Sequence, residues 1–145
     1  TALTPQLRDA VRGATDAARR EREEFFDVLD READSLTTAA DDLAAVETAF
    51  EPLESEPVPA RRFDDLHDRW STTRELQGRV DAVGLRRQET IRGHRTHLPG
   101  VPTDLCEYLY YDLEASYPVL ADVADLGERL NRARDRVERA LASTG

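Results

Sequence analysis

The chain has 145 residues, of which 39 % are hydrophobic, so it is long enough for one domain with its own core. It carries 30 acidic and 20 basic residues, and every basic residue is an arginine. The net charge of -10 disfavours binding to nucleic acid, and the single cysteine excludes a disulfide within the chain. No stretch approaches the roughly 18 apolar residues of a membrane span. The composition therefore predicts one soluble domain.

This surface composition is typical of proteins that work in concentrated salt. Carboxylates hold water and cations, so we interpret an acidic chain without lysine as an adaptation to molar potassium chloride. A GC-rich genome would also favour arginine over lysine, and the two causes stay confounded. At molar salt the Debye length is about 3 Å, so the charge is interpreted mainly as a solvated surface. Because the N-terminal sequence TALTPQLRDA lacks the apolar run of a signal peptide, a cytoplasmic location is predicted.

The first predicted helix covers residues 5–50. Thr4 supplies a capping hydroxyl, Pro5 fits the first helical position, and the next proline is Pro52. Apolar residues recur along it mostly every three or four positions, which places them on one stripe. An unbroken helix of this length would measure about 69 Å, so it either protrudes from the domain or breaks near DSLTT at 34–38. We favour continuity.

The segment 51–60, EPLESEPVPA, holds three prolines and three glutamates. Proline removes a backbone donor and clashes with the preceding helical turn, so a non-helical linker is predicted here. A second helix is predicted over 61–97, with Phe63 and Trp70 in the core. Three glycines lower the helix propensity of this second helix, and packing is expected to compensate.

Two more helices are predicted after a proline-glycine turn at 99–102. Asp104 and Glu107 form a capping-box pattern that begins a short helix over 104–114. A longer helix is predicted over 118–142, where apolar residues alternate steps of four and three like the seam of a coiled coil. This stripe requires a helical partner, either the first helix or a second copy of the chain. Its residues are Val119, Val123, Leu126, Leu130, Ala133, Val137 and Ala140.

The sequence shows no strand pattern and no repeat of fixed period. The predicted fold class is therefore all-α, an elongated helical bundle in which the first two helices form an antiparallel coiled-coil hairpin. The short helix and the last long helix would pack against that hairpin, within a single domain over 1–145.

The segment 86–97, RRQETIRGHRTH, is locally basic. Its guanidinium groups recur about one helical turn apart, so several could converge on a phosphate or a carboxylate. We favour pairing of these groups within the protein or its oligomer, and the alternatives are an acidic protein partner and nucleic acid. The candidate residues are Arg86, Arg87, Arg92 and Arg95.

His94 and His97 lie one helical turn apart and Cys106 follows nine residues later, so the three could bind a transition metal. No CxxC motif or second histidine pair supplies a fourth ligand, and we favour hydrogen-bonding histidines and a small buried cysteine. The chain has no nucleotide-binding loop, serine-hydrolase elbow or metalloprotease motif. We therefore expect no cofactor and no enzymatic activity.

Tyr108, Tyr110 and Tyr111 crowd beside the cysteine. They could line a pocket or anchor an interface, although such a cluster more often belongs to a core. Helical spacing places Tyr108 and Tyr111 on the face of Leu105 and Tyr110 elsewhere. At least one ring is therefore expected to meet a partner or solvent.

Two stretches near the C-terminus carry a resemblance to a known family. RRQETIRGHR at 86–95 and CEYLYYDLEASYPVLADVADLGERL at 106–130 resemble a family of uncharacterised haloarchaeal helical proteins, over roughly the last 60 residues. The resemblance implies a cytoplasmic helical protein and carries no activity.

The leading hypothesis is a helical interaction or scaffold module that pairs with itself or with another helical protein. Self-association is expected through Val123, Leu126 and Leu130, or through the exposed half of the first helix. The first alternative is a small regulatory protein that binds nucleic acid through 86–97. The second is a bundle that binds a small ligand or a metal.

Overall fold

The computed structural model describes residues 4–58, 62–98 and 104–143, which form four helices. These are α1 (Pro5–Ser55), α2 (Phe63–His97), α3 (Leu105–Leu109) and α4 (Pro118–Ser143). No strand occurs among the described residues, so the prediction of an all-α helical bundle is confirmed. α2 packs antiparallel to both α1 and α4, while α1 and α4 lie side by side in parallel.

The core lies where the three long helices meet. Phe50 of α1 and Leu130 of α4 are completely buried there, and burial of such side chains stabilises the fold by about 1.5–3 kcal/mol each. A smaller apolar cluster continues this core along α1. The main cluster comprises Val46, Phe50, Leu76, Val80, Leu126, Leu130 and Ala133, and the smaller one comprises Ala39, Val83 and Val119.

α1 is a single helix of 51 residues, about 76 Å long. The Thr4 hydroxyl accepts a hydrogen bond from the backbone N–H of Leu7 at 3.3 Å, as expected of an N-cap. The alternative of a break at 34–38 is wrong, because the polar side chains there adopt arrangements that a helix permits. The Thr37 hydroxyl, for example, donates to the carbonyl of Ala33 at 3.0 Å.

The end of α1 corrects the predicted linker over 51–60, because the helix passes Pro52 and ends at Ser55. A proline removes its own backbone N–H bond and can bend the helix, and in the last turn of α1 little helix follows it. Arg69 of α2 also supports this end: its buried guanidinium donates to three main-chain carbonyls, those of Leu53 at 2.6 Å, Glu56 at 2.7 Å and Pro57 at 3.1 Å. The last two residues of the predicted linker lie outside the described residues.

α2 begins two residues later than predicted, and Phe63 is not in the core. Its side chain is 64 % exposed and stacks on the ring of His67, with centroids 6.2 Å apart. Phe63 occupies the first turn of α2, in which Leu66 is the buried side chain. Trp70, two turns further along, is partly buried and donates its indole N–H to Glu138 of α4 at 3.1 Å.

α3 is only five residues long and does not extend to residue 114. The Asp104 carboxylate caps it by accepting the backbone N–H of Cys106 at 2.9 Å. The helix ends because the chain turns at Tyr110, whose side chain reaches across to α1. The predicted turn at 99–102 lies outside the described residues.

The apolar stripe of α4 has its partner inside the chain. Leu126 and Leu130 are buried against α1 and α2, and Val123 lies partly buried against the same clusters. A Cβ at Gly84 of α2 would lie 3.2 Å from the Val123 side chain, so the two helices approach closely at this point. Leu126 and Leu130 are therefore not exposed for self-association in the folded chain, whereas Val123 is only partly covered.

Candidate functional site

The first part of α1 extends beyond the bundle. From Thr4 to Glu24 every residue is exposed except Ala17, which is partly buried. α2 ends close to the level of Glu32, so nothing in the described ranges 62–98 and 104–143 runs alongside the start of α1. We call residues 5–24 the arm; its 20 residues span about 30 Å.

The apolar stripe of α1 continues along the arm without a covering helix. Leu7 is 51 % exposed and Val11 is 55 % exposed, and the spacing continues through Ala14 and Ala18. The charged run 19–24 then interrupts the stripe before the partly buried Phe25 and the buried Val28. The arm holds five arginines and five acidic residues, so it has no net charge in a chain of -10. It is thus a long charge-balanced stretch of α1, with part of its apolar surface in water.

A buried polar cluster lies where the arm joins the bundle. Glu32 of α1 is 2 % exposed, and its carboxylate accepts two hydrogen bonds from Arg87 of α2, at 2.8 and 2.5 Å. It also accepts the Nε2–H of His94 at 2.7 Å and the hydroxyl of Tyr110, which follows α3. We call these four residues the root cluster. Through one carboxylate it joins three segments that are distant in sequence.

The root cluster holds Glu32 in its ionised form. Burial raises the pKa of this carboxyl, but the hydrogen bonds from Arg87, Tyr110 and His94 outweigh it and lower the pKa from 4.5 to about 2. Burial and the bond to Glu32 raise the pKa of Tyr110, which therefore stays a neutral O–H donor. The cluster thus contains a compensated pair of charges, the arrangement in which charges are tolerated inside a protein.

Cys106 borders the root cluster as a structural thiol. It is completely buried, and its sulfur lies 3.8 Å from an Arg87 nitrogen that donates to it. Burial, followed by the nearby charge of Glu32, raises the pKa of the thiol to about 11. A thiol with this pKa is protonated at neutral pH and is a poor nucleophile and metal ligand.

A cleft of about 330 Å³ opens beside the root cluster, between α1 and α2. His94 is 4 % exposed and reaches this cleft, and its Nδ1 has no hydrogen-bond partner among the described residues. His97 donates its Nδ1–H to the carbonyl of Gly93 at 2.7 Å. The cleft is lined by Arg31, Asp34, Thr90, Gly93, His94 and His97.

The three predicted metal candidates are not brought together. Cys106 lies next to Arg87, while His97 is exposed and lines the cleft. In the part of the chain that the structure describes, no group of three His, Cys, Asp or Glu side chains is placed to hold a metal ion.

The arginines of segment 86–97 do not converge on one surface. Arg87 is buried with Glu32, Arg86 pairs with Asp42 of α1, and Arg95 pairs with Asp104 at 2.5 Å. Arg92 is exposed, and its Nε–H donates to the carbonyl of Gln88 at 3.3 Å in its own helix. Three of the four guanidinium groups therefore already have a carboxylate partner within the chain.

At least one tyrosine ring meets solvent, as expected, but the predicted assignment of the rings to helix faces is wrong. Tyr110 points inward to the root cluster, whereas Tyr108 is 65 % exposed and Tyr111 is 78 % exposed. The prediction assumed a helix through residue 114, and α3 ends at Leu109, so helical spacing no longer applies to the last two rings.

Sequence reasoning missed Glu32 and Arg69 as key polar residues. Glu32 occupies a position in the apolar stripe of α1, between Val28 and Leu36, and a carboxylate in such a stripe is a usable signal of a buried ion pair. Arg69 gave no comparable signal, because its partners are main-chain carbonyls.

Comparison with known families accounts for most of the chain. The model of a domain of unknown function, DUF7260, matches residues 1–134. The chain belongs to the DUF7260 family. The match includes the arm and the root cluster, and it extends well beyond the C-terminal stretch on which the sequence resemblance rested. No curated protein and no solved structure matches this DUF7260 chain. Among its described residues no helix is long and apolar enough to cross a membrane.

Proposed function

We propose that this DUF7260 chain is a non-enzymatic helical interaction module of the cytoplasm of a halophilic organism, and that it self-associates through the arm. The observation that carries the proposal is the uncovered stripe of the arm, which continues the stripe that α1 buries within the bundle. The acidic, lysine-free composition supports the halophilic setting.

The physical reason for association is the marginal stability of a lone helix. An isolated helix of about 20 residues gains little from its own hydrogen bonds in water, and most helical stability comes from packing of an apolar face. A helical partner with a matching stripe would cover Leu7 and Val11 and would stabilise the arm as a helix. The α4 stripe packs against α1 and α2 inside the bundle. Among the described residues, the arm is a long helical surface that is left uncovered and could bind a partner.

The root cluster supports this function by fixing the arm relative to the bundle. Glu32 lies eight residues after the end of the arm and is held from two sides by α2 and by Tyr110. A rigid root lets the arm meet a partner without the entropic cost of ordering a hinge.

The test is the mass of the protein in about 2 M potassium chloride, where surface charge is screened, measured by light scattering. We expect a dimer or larger species for the parent chain and dissociation for Leu7→Glu. Leu85→Glu is the matched control, because Leu85 is a similarly exposed leucine, at 56 %, on α2 of the bundle. A monomeric parent at high protein concentration, or equal effects of the two substitutions, would refute the proposal.

A second candidate function is binding of a small ligand in the cleft beside His94. The observation in its favour is a buried imidazole that reaches the cleft and is oriented by Glu32 through Nε2, while its Nδ1 has no partner among the described residues. NMR signals of the His94 ring should shift on addition of inorganic phosphate, and a His97→Gln variant should keep that shift. Unchanged His94 signals at millimolar phosphate would count against the site.

A further inference from the structure

A groove of about 440 Å³ runs between α2 and α4, and all of its lining residues belong to these two helices. Two arginines and one aspartate line it, so its lining is net positive in a chain of -10. We propose that this groove binds a doubly charged oxyanion, a phosphate or phosphate monoester, between Arg74 and Arg134. No residue of the arm lines the groove, so the ligand is independent of association through the arm.

The two arginines lie opposite each other across the groove. α2 and α4 are antiparallel, and the side-chain amide of Gln77 donates to Asn131 at 2.5 Å, which fixes the alignment of the two helices. Arg74 precedes Gln77 by three residues, and Arg134 follows Asn131 by three. In antiparallel helices these equal steps bring the two arginines to the same level, one turn away from the amide pair.

Each guanidinium group is held on its own helix. Arg74 lies over the Trp70 ring, 5.4 Å from its centroid, in a cation–π contact. Arg134 places Nη2 3.2 Å from Asp135 and its buried Nε 3.5 Å from Glu138. Within the described ranges Arg74 has no ion-pair partner, and Nη1 of Arg134 has no hydrogen-bond partner. Both groups therefore keep N–H donors for a ligand and are already partly ordered.

The remaining polar groups at this level also suit an oxyanion. Asn131 uses its Oδ1 to accept from Gln77, so its Nδ2–H donors stay available in the described part of the chain. Phosphate oxygens accept hydrogen bonds, and the forked N–H groups of arginine match their geometry. Two facing cations repel each other. A dianion compensates the charge of both, whereas a carboxylate or a chloride ion compensates only one.

The groove is open because glycines line it on both helices. A Cβ at Gly78 of α2 or at Gly127 of α4 would meet nothing within 4 Å. Asp81 lines the groove seven residues after Arg74, about 10 Å further along α2. In molar salt the Debye length of about 3 Å screens the repulsion between Asp81 and a phosphate at the arginines. Only groups in direct contact with the ligand then decide its binding.

The test is titration of the parent chain with potassium phosphate in about 2 M potassium chloride, at about pH 8, where phosphate is mostly the dianion. The NMR signal of the Trp70 indole N–H reports on the groove, because the chain has one tryptophan and Arg74 lies over its ring. We expect a saturable shift of this signal. Potassium acetate, a monovalent oxyanion, should bind at least about tenfold more weakly.

Three variants and one control assign the shift to the groove. Arg74→Gln and Arg134→Gln should each weaken phosphate binding at least about tenfold, because each removes charge-assisted hydrogen bonds. Gly127→Leu keeps both guanidinium groups but fills the groove, and it should weaken binding as much. Arg132→Gln is the matched control, because Arg132 is exposed on α4, pairs with Glu128 and does not line the groove. Circular dichroism checks that each variant is folded.

Each other result overturns the proposal. A Trp70 signal that stays fixed, or that shifts without saturation, would show that phosphate does not bind in the groove. Equal weakening by Arg132→Gln, or full binding by Gly127→Leu, would mean that the surface charge acts without the groove. Acetate that binds as tightly as phosphate would refute the preference for a dianion. A shift of the His94 signals alone would place phosphate in the cleft between α1 and α2 instead.

Discussion

The arm and the part of α1 inside the bundle have a similar pattern of apolar residues, but the arm is exposed and the other part is packed against α2 and α4. In the bundle, the α1 stripe buries Val46 and Phe50 to 1 % and 0 % exposure, whereas in the arm Leu7 and Val11 remain about half exposed. The spacing of apolar residues is similar in both halves, so periodicity alone does not decide burial. What differs is the presence of α2 and α4, which are too short to follow α1 to its start.

A buried charge lies in the covered part of α1, close to the arm. An apolar residue at position 32 would let the stripe run unchanged from bundle to arm. A glutamate there requires Arg87, and that requirement fixes which turn of α2 lies opposite this point of α1. We interpret the root cluster as the contact that fixes how α2 is aligned along α1 near the arm.

The largest expected effect comes from removing the cation of the root cluster. Arg87→Leu leaves the Glu32 carboxylate buried without its main partner, and we expect a loss of about 3–5 kcal/mol in the free energy of unfolding. Arg86→Leu is the matched control, because Arg86 is the preceding residue and pairs with Asp42 at the surface. We expect it to cost less than about 1 kcal/mol. Urea unfolding in potassium chloride measures both values, and equal losses would contradict a special role for the buried pair.

A second comparison sets one leucine of the bundle against one of the arm. Leu130→Ala removes a side chain with no exposure and should lower the free energy of unfolding by about 2–5 kcal/mol. Leu7→Ala should change the stability of the dilute monomer by less than about 0.5 kcal/mol, because its side chain is largely in water. The same substitution should weaken association at high concentration. A large loss of monomer stability for Leu7→Ala would mean that the arm packs on the bundle.

Acid should weaken the root cluster by protonating Glu32. The pKa of Glu32 is about 2 when folded against an ordinary 4.5, so its stabilising effect is complete above pH 4.5 and is lost as the pH falls toward 2. The shift corresponds to about 3 kcal/mol. We expect the stability difference between the parent and Glu32→Gln to shrink over this range, as measured by urea unfolding from pH 5 to 2. A constant difference would mean that Glu32 titrates normally in the folded chain.

Much of the fold was predictable because it depends on local signals. The Thr4 cap, Pro5 and the stripe of α4 act within a few turns of helix, and they correctly indicated where α1 begins and which face α4 buries. The helix through Pro52 was not predictable from local rules. Its end is stabilised by Arg69, a residue of another helix.

The candidate site was only partly predictable, for the same physical reason. His94, Arg87 and Tyr110 were singled out as residues, with hydrogen bonding favoured for the histidine and pairing within the protein or its oligomer favoured for the arginine, but nothing joined the three into one cluster. Their common partner, Glu32, lies 55 residues before Arg87 and 78 before Tyr110. Such contacts depend on how the helices pack, and single-sequence spacing does not report that.

The smallest expected effect separates two glycines of α2 by their surroundings. At Gly78 a Cβ would meet nothing within 4 Å, so Gly78→Ala should stabilise the bundle by up to about 1 kcal/mol through helix propensity alone. At Gly84 the Cβ would lie 3.2 Å from the Val123 side chain, which must move to accept it, so Gly84→Ala should gain less or become destabilising. Thermal unfolding of the two variants in the same buffer measures the difference. An equal gain in stability at both positions would mean that the methyl group added at Gly84 does not press on the Val123 side chain, and that α2 and α4 are further apart there than the structure shows.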